Sequence, residues 1–181
     1  MAAVRILVGI ICFALVGGSR LPERNLLKDA SEIENRKTLI KIATQELGVR
    51  EQSGNNDGVR VEAYLKYIGL GKGHAWCAGY VSWVYGQAGF SRPRTGWSPA
   101  LFPVNRQVKI PLPGDVFGIY FPALGRIAHA GLVRAKKGDW ILSLEGNTNF
   151  QGGREGDGVY AKRRHVRTIA KYANWLRKEE R

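Results

Sequence analysis

Cysteine and histidine are the residues of this sequence whose chemistry stands out, because the 181 residues contain only two cysteines and three histidines. Cys77 lies where a Gly-rich approach gives way to the helical pattern AWCAGYVSWVYGQAG. Free N–H groups and the positive end of the dipole at a helix start would favour the thiolate, the form of cysteine that attacks a carbonyl carbon. The same N–H groups could stabilise the resulting oxyanion. The alternative is a buried cysteine that fills space between Trp76 and Trp83.

A nucleophilic thiolate needs a general base, and the three histidines are the candidates. His129 begins the apolar run AHAGLV, whose small residues leave room around the ring. His74 stands three residues before Cys77 and could contact it locally, whereas His165 follows two arginines in a run typical of a solvated surface. We favour His129 as the base, with His74 as the alternative.

A catalytic imidazole usually needs a third group that fixes its tautomer. Glu145 and Asn147 lie two residues apart in the run LEGN, so an extended strand would place both on one face. If this strand pairs with the one that carries His129, either side chain could orient the ring. The alternative is a strand end with a solvated Glu, followed by a turn.

The helices that must position these residues come first in the chain. Ser31 and Glu34 match the S-x-x-E capping box, which predicts a helix over 33–47 that follows a polar linker over 19–30. Two further helical patterns follow, over 59–68 and 76–88.

The second half of the sequence predicts strands. Five prolines indicate a long loop over 90–114, and short runs with alternating or continuous apolar residues then follow, separated by turns. The predicted strands are 115–121, 128–135, 140–145 and 159–164. This order predicts an α+β fold in which N-terminal helices pack on an antiparallel sheet of four to six strands.

The N-terminus indicates export. Arg5 precedes the apolar run Ile6–Val16, and Gly17, Gly18 and Ser19 follow it, which is the order of a secretory signal peptide. About 20 apolar residues are needed to cross a bilayer, so this run is too short. We therefore predict a signal peptide over 1–18 and a secreted or periplasmic protein that does not stay in the membrane. An uncleaved N-terminal anchor is the alternative.

The chain carries a net charge of +13, which favours contact with anionic polymers. A nucleic acid could be such a polymer, but the sequence contains no recognisable nucleic-acid motif and we expect no such partner. A basic wall-binding module without catalytic activity remains an alternative.

Taken in order, these motifs resemble a known family. The Cys in WCAGYVSW, a PGDV strand, the His in AHAGLV and the run LEGN are similar to CHAP domains, which are related to NlpC/P60 proteins and have a papain-like fold. The similarity covers about residues 36–165 and suggests one catalytic domain over 31–181. It implies that Cys77 is the nucleophile, His129 the base, and Glu145 and Asn147 the orienting residues.

The resemblance also implies a substrate. CHAP domains cleave peptidoglycan, at the N-acetylmuramoyl–L-alanine amide or within the stem or cross-bridge peptide. We expect a monomer that acts without a cofactor, and no metal, since the only Asp in the segment that resembles a calcium loop is Asp57. The alternative with a metal is a zinc-dependent amidase with His74, Cys77 and His129 as ligands.

Overall fold

The computed structural model describes residues 23–151 and 156–177, with side chains from residue 30 onward. The predicted signal peptide lies outside these residues. Among them, no helix combines the length and apolar character that a membrane crossing would require.

Three α-helices occupy the first half of the described chain: α1 (Glu23–Gln45), α2 (Val59–Tyr67) and α3 (Cys77–Gln87). The prediction of α1 needs correction, because this helix begins eight residues before Ser31. Ser31 therefore lies inside the helix and does not cap it, and residues 23–30 are not a linker. The segment ERNLLKDA consists mostly of good helix formers, and an S-x-x-E pair is also tolerated within a helix.

The strands form one six-stranded antiparallel sheet in the order β1-β6-β2-β3-β4-β5. They are β1 (Gln107–Val108), β2 (Val116–Phe121), β3 (Arg126–Lys137), β4 (Trp140–Thr148), β5 (Gly158–His165) and β6 (Lys171–Ala173). The α+β prediction is confirmed. The sequence did not predict β1 and β6, which are too short to show a period. The predicted loop 90–114 contains β1 and two 3-10 helices, Ser98–Leu101 and Val104–Arg106.

The main core lies between the helices and the sheet. Nine consecutive residues of α3, from Cys77 to Tyr85, are buried, so this helix is enclosed on all sides. It packs against Leu132 of β3 and Leu144 of β4, and together with α1 and α2 it completes the larger apolar cluster. Because α3 is held directly against β3 and β4, its first residue comes close to side chains of both strands.

Candidate active site

Cys77 is the first residue of α3, as the sequence predicts. The first hydrogen bond of the helix runs from the Tyr80 N–H to the Trp76 carbonyl at 2.8 Å, so the amides of residues 77–79 have no acceptor within the helix. The thiol is buried, and its Sγ lies 3.5 Å from the hydroxyl oxygen of Ser98. The thiol thus lies at the positive end of a helix, among hydrogen-bonding groups.

Trp76 fixes the start of α3 in place. Its backbone N–H donates to Asn147 Oδ1 at 3.1 Å, and its ring Nε1 donates to Glu51 Oε1 at 2.8 Å. A Cβ at Gly146 would lie 2.7 Å from the Trp76 ring, so only glycine lets β4 approach this closely. These contacts hold Cys77 at a fixed position relative to β4.

His129 lies on β3 and connects the thiol to a carboxylate. Its Nε2 is 2.9 Å from Glu145 Oε2, which leaves Nδ1 as the ring nitrogen available to the thiol. The thiol interacts with the His129 side chain and with the backbone N–H of Ala130. The structure therefore brings Cys77 together with His129 and Glu145, which lie on two paired strands far from Cys77 in the sequence.

The interaction between Cys77 and His129 changes the pKa of both groups. Burial opposes ionisation of Cys77, but contact with His129, aided by Ser98, outweighs burial and lowers the thiol pKa to about 7. Burial also disfavours the charged imidazole, but the contacts with Cys77 and Glu145 raise the pKa of His129 to about 9. Between these values the pair is a thiolate beside an imidazolium, the reactive state of a cysteine nucleophile.

Glu145 is completely buried and nevertheless ionised. Arg164 donates to both of its oxygens, at 2.9 and 2.6 Å, and the Ser143 hydroxyl donates at 2.6 Å. Burial favours the neutral acid, but the hydrogen bonds from Arg164 and His129 outweigh it and hold the pKa of Glu145 well below its usual range. A Cβ at Gly131 would lie 2.8 Å from the Glu145 side chain, so the neighbouring glycine makes room for this carboxylate.

Asn147 does not share a face with Glu145, contrary to the prediction. The register of β4 shifts between Glu145 and Thr148, and Asn147 has a φ of 53°, in the left-handed region that asparagine tolerates. Its Nδ2 donates to Asn56 Oδ1 at 3.1 Å, while its Oδ1 accepts from Trp76. Within the described residues, only Glu145 of this pair contacts the imidazole.

The other two histidines make different contacts. His74 is exposed, and its Nδ1 lies 3.1 Å from the carbonyl oxygen of Gly71. The His165 ring packs edge-on against Trp140, with 5.0 Å between ring centroids. No group of three or more His, Cys, Asp or Glu side chains in residues 30–151 and 156–177 is arranged to hold a metal ion, so His74 does not complete the zinc set considered above.

Two polar contacts of the site were not predicted from the sequence. Arg164 belongs to the basic run KRRH, which resembles a solvated surface. A period of two along β5, which pairs with the strand that carries Glu145, could have indicated that alternate residues of the run face inward. Ser98 lies in the Pro-rich segment, where no period predicts what a side chain contacts.

The fold and the site define an α+β domain in which a buried histidine contacts both a buried cysteine and a buried glutamate. No protein-family model matches the sequence, and a search of curated proteins gave no match. Among solved structures, the P60 domain of an antigen from M. avium paratuberculosis matches 81% of this chain and 96% of its own length, with 16% identity and a TM-score of 0.48. This likeness concerns the fold alone.

Proposed function

We propose that this protein is a cysteine hydrolase that cleaves amide bonds through a thioester intermediate on Cys77. The observation that carries the proposal is the continuous line of contacts from the thiol through His129 to Glu145, together with the opposite pKa shifts of thiol and imidazole. A cysteine that merely fills space needs neither an imidazole partner nor a thiol pKa of about 7.

In the first step the Cys77 thiolate attacks the carbonyl carbon of the amide. The free amides at the start of α3 stabilise the oxyanion that forms on the carbonyl oxygen. The C–N bond then breaks, and the His129 imidazolium donates its proton to the departing nitrogen. The products of this step are a free amine and a thioester, and His129 is left neutral.

In the second step the neutral His129 accepts a proton from water as the water oxygen attacks the thioester carbonyl. The C–S bond breaks, the carboxylic acid leaves, and the thiolate and imidazolium return. Glu145 takes no proton at any stage. It fixes the ring through Nε2 and stabilises the positive charge of the imidazolium.

The substrate class we propose is bacterial peptidoglycan, cut at the N-acetylmuramoyl–L-alanine amide or within the stem or cross-bridge peptide. The proposal is supported by the resemblance of the Cys, His and Glu motifs to CHAP domains. The net charge of +13 also suits a polymer that carries carboxylates. We further propose that the protein is a monomer, acts without a cofactor and is exported by way of residues 1–18.

The test is mass spectrometry of muropeptides released from purified cell walls by the parent chain and by variants. Cys77→Ala and His129→Ala should each lower release by about 10³-fold or more, since these groups act as one unit. The matched controls are His74→Ala and His165→Ala, whose release of muropeptides should stay within about twofold of the parent. The His74 ring contacts the Gly71 carbonyl and the His165 ring packs against Trp140, so neither belongs to the site.

Each possible failure has its own meaning. Full release by Cys77→Ala would exclude thiol catalysis. A parent chain that sediments with cell walls and releases nothing would instead support the alternative of a non-catalytic wall-binding module.

A further inference from the structure

An exposed aromatic ring with an arginine stacked on it belongs to the residue that precedes a contact of the Cys77 thiol in the chain. Trp97 is 54% exposed, and the Arg126 guanidinium carbon lies 4.3 Å from the centroid of its ring. Trp97 directly precedes Ser98, whose hydroxyl lies 3.5 Å from the Cys77 sulfur. A solvent-facing tryptophan one residue away from a contact of the nucleophile is well placed to contact substrate.

The position of Arg126 in the sheet also ties it to the site. It is the first residue of β3, three residues before His129, and the 3-10 helix Ser98–Leu101 packs against this strand. The aromatic ring and the guanidinium therefore belong to two different elements that meet in the fold. Both elements also carry groups that contact the thiol.

The Arg126 guanidinium has N–H donors that bind no acceptor among the described residues. Within the described residues its guanidinium donates to the carbonyl of Ile127 at 3.2 Å and pairs with no carboxylate. By contrast, Arg60, which stacks on Trp83 at 4.3 Å, spends two donors on Glu46. Stacking on a ring fixes the plane of a guanidinium, and its remaining N–H groups then match the two oxygens of a carboxylate.

We propose that Trp97 and Arg126 form a subsite that binds a carboxylate of the substrate beside the scissile amide. This inference rests on the proposed function and adds a selection rule to it. Arg126 pairs with the carboxylate, and Trp97 holds the guanidinium in place and covers the chain next to it. The enzyme therefore prefers stem peptides with free carboxylates over stem peptides in which they are amidated.

The experiment uses synthetic stem-peptide amides in two forms, with free carboxylates and with the same groups converted to carboxamides. The parent chain should show a kcat/KM about 10-fold or more higher for the carboxylate form, the range of one charge-assisted hydrogen bond. Arg126→Gln should remove this preference by lowering the kcat/KM of the carboxylate form to that of the carboxamide form, whereas Arg126→Lys should keep part of it. Arg134→Gln, an exposed arginine further along β3, is the matched control and should behave like the parent.

A binding measurement separates the two proposals. In the Cys77→Ala background, calorimetry should show tighter binding of the carboxylate peptide, and adding Arg126→Gln should abolish the difference. Equal binding of the two peptides, or an unchanged preference in Arg126→Gln, would overturn the subsite even if hydrolysis is confirmed. Selective binding without any hydrolysis by the parent would support the subsite and contradict the proposed function.

Discussion

Two buried glutamates of this protein each accept hydrogen bonds from an arginine, but their other contacts differ. Glu46, just beyond α1, accepts from Arg60 of α2 at 2.6 and 2.5 Å, and Glu145 of β4 accepts from Arg164 of β5 at 2.9 and 2.6 Å. In both cases burial alone would favour the neutral acid, and the contacts from the arginine outweigh it and lower the pKa of the carboxyl. Pairing with an arginine therefore does not explain why one glutamate would belong to a catalytic site and the other would not.

The third partner makes the difference. Glu46 accepts from the hydroxyl of Tyr64, whose pKa burial raises well above its usual range, so this group keeps its proton and serves as a fixed link between α1 and α2. Glu145 instead contacts His129, a group that can gain and lose a proton, with a pKa of about 9, and that also contacts the thiol. An ionised buried carboxylate becomes part of a catalytic system through the group it supports.

The two carboxylates should differ most in their effect on turnover when each is replaced by a neutral amide. Glu145→Gln should lower kcat by about 10²–10⁴-fold, because it removes the group that orients His129 and stabilises its charge. Glu46→Gln should leave kcat within about twofold. Steady-state kinetics on both variants measures this contrast.

Stability must be measured alongside, since Glu145→Gln leaves the partly buried Arg164 without its carboxylate and Glu46→Gln does the same to the exposed Arg60. Glu46→Gln should lower the free energy of unfolding by about 1–3 kcal/mol and Glu145→Gln by about 3–5 kcal/mol. Urea unfolding followed by circular dichroism gives these values and shows that the assayed protein is folded. Equal losses of kcat in the two variants would mean that Glu145 has only a structural role.

The second prediction concerns pH. The kcat/KM of the parent should rise through pH about 7, as the thiol ionises, and fall above pH about 9, as the imidazolium loses its proton. In Glu145→Gln the imidazolium is less stabilised, so the pKa of His129 falls and the pKa of the Cys77 thiol rises. The pH range over which kcat/KM is high therefore narrows from both sides. Glu46→Gln should keep the pH dependence of kcat/KM of the parent. A narrowed pH range in this control would show that the effect is not local to the site.

The smallest effect is expected at Asn147, which acts on the start of α3 through Trp76. Asn147→Gly tolerates the φ of 53° but loses the bond to the Trp76 N–H, and kcat should fall by a few fold. Asn147→Ala loses the same bond and adds strain at the positive φ, so it should also lower the melting temperature relative to the Gly variant. A kcat loss as large as that of Glu145→Gln would instead indicate direct contact between Asn147 and the reacting groups.

Much of the fold follows from local patterns. The helices over 59–68 and 76–88 and the four long strands are predicted within a few residues, because each has a clear period and a glycine or turn at its end. The two-residue β1 and three-residue β6 depend on pairing with each other and with β2, and such short segments carry no period of their own.

The site could be predicted as far as residue type and position along the chain. Cys77 at a helix start and His129 on a strand follow from the local pattern. The sequence could not predict that Asn147 and Glu145 lie on different faces of β4. This difference depends on a bulge in β4, and the residues LEGN carry no signal for a bulge. The basic run KRRH predicts a solvated surface for Arg164, and its partial burial depends on which strand lies beside it.

The low thiol pKa of Cys77 depends on three segments: the start of α3 and, some 50–70 residues later in the sequence, the first half of β3 and the second half of β4. The two strands pair with each other, and packing of α3 on the sheet brings the thiol to them. Before α3 docks on the sheet, the sulfur has no imidazole beside it and behaves as an ordinary thiol of pKa about 8.5, mostly protonated at neutral pH. A newly made chain with the proposed activity would therefore be inert toward amides until α3 has docked on the sheet.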